Sequence, residues 1–151
     1  MKQLFALALF FITTVAATAQ NAEAKPPVGA TSSPNDAIAR EATDKLVAKY
    51  TLNADQAKEM YTIQQRKLRN LGEIASLESS NRSLYLSKLE SLQKGTLSSI
   101  RRVLRTKEQV ELYDKTQVEV RTQRSVKRKE LTAKNLSKDD MQAALLEIYA
   151  E

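Results

Sequence analysis

From residue 34 onward the apolar residues recur at intervals of three and four, and short polar runs interrupt the pattern. That period belongs to helices with one buried stripe, not to strands. The first predicted helix opens at Ser33-Pro34, with Ser33 as its cap and Pro34 at the first helical position. Ile38, Ala42, Leu46 and Tyr50 are its expected core face. A second helix begins at Asn53 and presents Ala57, Met60, Tyr61, Gln64, Leu68, Leu71 and Ala75. It is expected to end near Glu78, before the turn at Ser79-Ser80-Asn81, with a turn at Gly72 as the alternative. The third carries Leu86, Leu89, Gln93, Thr96, Leu97, Ile100, Val103 and Leu104, and Gly95 on it is a candidate for a close helix contact. A fourth starts at Thr106 with Val110, Tyr113 and Val120, after which its stripe fades into basic residues. A short fifth, from Lys138 to Ala150, carries Met141, Ala144, Leu145 and Ile148.

Ahead of this body the pattern changes. Residues 1–19, MKQLFALALFFITTVAATA, combine one positive charge, an apolar run and the small-x-small end Ala17-Thr18-Ala19. This is the layout of a secretory signal peptide. The run is shorter than the roughly 20 residues that cross a bilayer, so cleavage is favoured over an uncleaved anchor. Residues 20–33 contain two adjacent prolines and no apolar period. They read as a flexible linker, or simply as an unstructured N-terminal extension. Residues 34–151 then form a single helical domain, an all-α antiparallel hairpin or bundle of about four to five helices.

Composition narrows the function. Every Phe lies before residue 12, and the chain has no Trp, Cys or His. Without Cys there is no disulfide and no thiol chemistry, and without His the commonest general base and transition-metal ligand are missing. No glycine-rich phosphate loop or nucleophile motif is present. These absences point away from an enzyme and from a bound metal or cofactor. The net charge of +6 falls by one when Lys2 leaves with the signal, and a basic excess favours acidic partners.

One local motif recurs at helix starts: Asn53 with Gln56, Thr106 with Gln109, and Ser137 with Asp140. In each, a capping side chain is followed three residues later by one able to reach back, the arrangement of a capping box. Asp55, Glu108 and Asp139 add negative charge where the helix dipole favours it. Leu52 and Leu136 precede their caps as candidate hydrophobic staples. Taken singly, each box is a helix start and nothing more.

Together, a signal peptide, a helical body and two Leu-Thr-x-x-Gln-like boxes around a long hairpin resemble the Spy/CpxP family of periplasmic stress proteins. Leu52, Asn53 and Gln56 match the first box with Asn in place of Thr; Thr106 and Gln109 match the second. Arg105 stands where the family has Leu, with Leu104 one position early, and the third box at Leu136 lies beyond the usual two. The resemblance covers roughly residues 45–130. It implies a curved, cradle-like homodimer in the periplasm and ATP-independent chaperone or stress-adaptor activity on unfolded envelope proteins, with no chemistry.

The candidate client-binding residues are Arg101, Arg102, Arg121, Arg124, Lys127 and Arg128, flanked by Arg105 and Lys129. Cationic heads on apolar stems among Ser, Thr, Gln and Val would make an amphiphilic surface. A solvated helix face has the same composition. Export and the lack of aromatics among these residues disfavour nucleic acid. A regulatory adaptor for a membrane sensor domain is one alternative, and a structural protein on anionic lipid is another, since a basic amphipathic helix can lie at a charged membrane surface.

Overall fold

A computed structural model describes residues 34–151. The signal peptide expected over residues 1–19, the linker over 20–33 and the Ser33 cap lie outside the described residues. Those described are all-helical: α1 (Pro34–Tyr50), α2 (Ala54–Ile74), the single turn α3 (Leu77–Ser80), α4 (Arg82–Val103), α5 (Lys107–Ala133) and α6 (Lys138–Leu146).

The buried face of α1 is Ala39, Thr43, Leu46 and Tyr50, while Ile38 is half exposed. This corrects the expected Ile38–Ala42 stripe. A strict spacing of four drifts about 40° per step around an α-helix, so it leaves one face within a few turns, whereas mixed spacings of four and three stay on it. The chain reverses at Thr51, whose φ of 50° is left-handed, and Leu52 then packs into the core at 9 % exposure.

α2 ends at Ile74, earlier than the expected Glu78. The Ala75 N–H reaches back three residues to the Gly72 carbonyl, so the last turn tightens before one more turn forms in α3. Asn81 caps α4 by accepting from the Leu84 N–H at 3.1 Å. Gly95 makes no close helix contact. A Cβ placed there would meet nothing within 4 Å, and the expectation for it is corrected. Its place on the exposed side of α4 carries no packing demand.

α1 packs on α2, and α2 on α4. Their shared core is Leu46, Tyr50, Leu52, Met60, Ile63, Ile100, Val103, Leu104 and Tyr113. α5 joins it chiefly near its start, where the Tyr113 hydroxyl donates to the Leu97 carbonyl at 3.1 Å. Beyond that point α6 packs against both α4 and α5. After Val120 the apolar stripe of α5 gives way to the half-buried Arg124 and Lys127, as expected, before the buried Leu131 resumes it. None of the described helices is long and apolar enough to cross a membrane.

Candidate functional site

The two glutamine boxes form fully, and they meet. In α2's box the Gln56 N–H donates to Asn53 Oδ1 at 2.9 Å, and the Asn53 N–H donates to Gln56 Oε1 at 3.1 Å. In α5's box the corresponding bonds between Gln109 and Thr106 are 3.3 and 3.2 Å. The helix starts face each other across the bundle, so the two carboxamides also pair. Gln56 Nε2 donates to Gln109 Oε1 at 2.9 Å, and Gln109 Nε2 donates to Gln56 Oε1 at 3.2 Å. The second amide hydrogen of Gln56 goes to the Val103 carbonyl at 2.8 Å, and that of Gln109 to the Thr51 carbonyl at 3.4 Å. Gln109 Oε1 also accepts from the Arg105 N–H at 3.0 Å.

With 2 % and 7 % exposure, both side chains are buried, and both have every donor and acceptor satisfied. The pair therefore ties the α1–α2 turn, the end of α4 and the starts of α2 and α5 into one polar knot. Spacing reveals each box singly but not that the two touch, because that depends on how the hairpins fold back. Leu104 supplies the apolar anchor at the second box (4 % exposed), while Arg105 turns outward to pair with Glu59.

The third site departs from the other two. Ser137 Oγ accepts from the Asp140 N–H at 3.1 Å, but the Asp140 carboxylate takes the Ser137 hydroxyl at 2.7 Å and Arg82 at 2.9 Å instead of the cap backbone. The hydroxyl bond first, with Arg82 adding to it, holds the Asp140 carboxyl below its usual range. Leu136 is 39 % exposed, unlike Leu52 before the first box, which is buried.

The basic set is divided by the fold. Arg101 sits 3.9 Å from Asp114, and Lys127 pairs with Glu130 at 3.3 Å. Arg124 turns inward, donating from Nε to the Ile148 carbonyl at 2.8 Å and from Nη2 to Gln93 Oε1 at 3.3 Å. Arg102, Arg121, Arg128 and Lys129 are exposed and form no ion pair among the described residues. Asp114 fixes where the end of α4 lies along α5, and Arg128 lies about 20 Å further on at 1.5 Å per residue. The cations are therefore spread over about 20 Å of α5 and do not form one cluster. α5 also turns two valines outward: Val118 is 50 % and Val126 is 64 % exposed, with the exposed Thr122 one turn from each.

A second polar centre was not foreseen. α6 ends at Leu146, short of the expected Ala150, and the chain continues without helix. Glu151 seats its carboxylate against α2. It accepts from the Gln64 amide at 2.7 Å and the Tyr149 hydroxyl at 2.7 Å, and it pairs with Lys67. Lys49 donates to the Glu151 main-chain oxygen. Burial lowers the Lys49 pKa, against the pull of Glu119 and Glu151, and burial beside Glu151 raises that of Tyr149. The buried Gln64 was visible in the sequence as a polar residue on α2's core face; its partner lies 87 positions away and was not.

Between α4, α5 and α6 lies an open cleft of about 590 Å³, lined in part by Glu90, Arg124, Arg128, Met141 and Leu145. No group of three or more acidic residues able to hold a metal ion occurs among the described residues. What the fold and these centres define is an all-α, multi-helix protein braced by a paired-glutamine knot, with its last residues packed into the bundle. No family model, no curated protein and no solved structure matches the chain.

Proposed function

We propose that the chain is an exported, ATP-independent chaperone-like protein that holds partly unfolded envelope proteins in the periplasm, without enzymatic chemistry, in the manner of the Spy/CpxP proteins it resembles. The observation that carries this reading is the outward face of α5. Val118, Thr122 and Val126 follow one another one turn apart on the solvent side, with Lys129 on the same face and Arg121 at its edge. Scattered surface valines need no explanation, but an apolar row flanked by unpaired cations is an amphiphilic strip. Such a strip offers weak contacts to both apolar and acidic stretches of a client, and its charge speeds encounter. The knot anchors the start of α5, and the strip follows further along the same helix. A homodimer would double the strip and raise the avidity for one flexible client.

The test is the aggregation of a chemically denatured model protein on dilution, with and without the protein purified after export. Suppression at equimolar amounts without ATP is expected, together with its loss in the double variant V118S/V126S. No suppression by a sample of normal helical content overturns the reading.

A further inference from the structure

Residues 147–151 read EIYAE, with no Gly or Pro to break a helix, yet they leave the helix. A helix end normally satisfies its carbonyls by continuing, by capping or in water. Here side chains of other helices take them. Gln93 of α4 donates to the Leu146 carbonyl at 3.0 Å, and Arg124 of α5 to that of Ile148 at 2.8 Å. Gln117 of α5 donates to the Ala150 carbonyl at 3.1 Å, and Lys49 of α1 to the Glu151 oxygen. Leu146 and the segment that follows it are thus held through the main chain by donors from three elements. Two side chains add to this: the Glu151 carboxylate among Gln64, Lys67 and Tyr149, and the Tyr149 ring beneath the Lys67 ammonium, 5.3 Å from its centroid. Gln64 is 1 % exposed and Lys67 about one-fifth, so the carboxylate seat is built into the bundle and is not a surface pairing.

Side chains that read carbonyl oxygens do not discriminate between residue types, because every peptide carries the same acceptors. We infer that the seat of residues 147–151 is a peptide-binding site. Its ligand class is a non-helical chain segment with a carboxylate side chain two residues after an aromatic one, and residues 147–151 are its resident occupant. A client segment of that kind enters by displacing the resident one. Tethering gives the resident an effective concentration in the millimolar range, so it holds the seat against dilute competitors and yields to a client anchored elsewhere on the protein. This deepens the chaperone reading and rests on it for its purpose, but it can be measured apart from it.

The probe is a fluorescein-labelled peptide, LEIYAE, titrated by anisotropy against the full exported chain and its E151K variant. Reversing the charge between Lys49 and Lys67 should expel the resident segment and tighten peptide binding by about tenfold or more. The peptide LEIYAQ should lose most of that gain. Equal affinity of LEIYAE for both proteins, or equal binding of the two peptides to E151K, overturns the inference. Should E151K lose helical content, E151Q removes the charge without adding repulsion and must move binding in the same direction. Tighter binding to E151K, with no form suppressing aggregation, leaves the site standing and ends the chaperone reading. Suppression with no gain in peptide binding does the reverse.

Discussion

At the scale of single residues, the fold depends on a few polar atoms whose partners are far away in sequence. Gln109 is the clearest case, since its amide closes its own helix start and also completes the bonding of Gln56. Q109L keeps the volume but leaves the buried Gln56 amide short of partners and removes half of a capping box. An unsatisfied buried group costs about 1–3 kcal/mol, and loss of the box adds to it. Urea denaturation of Q109L should therefore show a loss of about 2–4 kcal/mol. The double variant Q56L/Q109L should lose less than the sum of the two single losses, because removing both partners strands neither. Tyr50 is the opposite case. Its hydroxyl is buried and makes no hydrogen bond of ordinary geometry among the described residues, its polar neighbour Thr116 giving its own proton to the Leu112 carbonyl, and burial pushes the Tyr50 ionisation up to about 12. Y50F removes the stranded hydroxyl and keeps the ring, so it should raise stability by about 1 kcal/mol. A loss of similar size would mean that the hydroxyl is satisfied in solution. Neither case could be read whole from the sequence: Gln56 and Gln109 were recognisable as cap partners, but their meeting depends on the fold of two hairpins.

At the scale of elements, the helices were legible because their signals are local. Caps, the final proline at Pro34 and mixed three-four spacing set the starts of α1, α2, α4, α5 and α6 where they were expected. The ends were harder to read. α2 stops at Ile74 through a backbone bond to Gly72, and α6 stops at Leu146 because distant side chains take the carbonyls that follow. Gly95 was misread for a related reason, since a glycine inside a helix signals close packing only if another element arrives there, and none does. That correction has a consequence. G95A adds a methyl group to open space on the exposed side of α4 and removes the backbone entropy that glycine loses in a helix. It should stabilise the protein by about 0.5–1 kcal/mol, seen as a higher urea midpoint with an unchanged slope. Destabilisation would show that a second copy of the chain, or another partner, packs closely on that face of α4.

At the scale of the whole molecule, the all-α class was legible but the division of charge was not, because sequence places Arg124 among its basic neighbours while the fold turns it inward to Ile148. Charge also governs how the molecule as a whole answers to pH. Asp36, held by Tyr61 and then Arg40, Glu41 by Lys45, Glu90 by Lys94, and Glu130 by Lys134 and Lys127 all have lowered pKa values. So do Asp140, and Glu108 through its own helix-start N–H. A carboxyl whose folded pKa is depressed contributes stability above its unfolded value, near 4, and loses it as pH falls through the folded value. The phenols of Tyr50, Tyr113 and Tyr149 are raised, first of all by burial. Their contribution is present below about pH 10 and is lost as pH rises through the folded values. Lys49, lowered by burial, works against them: its penalty is present below its folded pKa and is relieved as pH rises towards the unfolded value. With no histidine in the chain, no side chain has its ordinary pKa between these ranges. The urea midpoint should therefore stay level from about pH 5.5 to 9, fall below about pH 4 and fall again above about pH 10. Since the carboxyls are mostly exposed, the acid limb should be shallow and further weakened by salt. A step near pH 6.5 would contradict this, since it would require a carboxyl raised by some two units above its ordinary range.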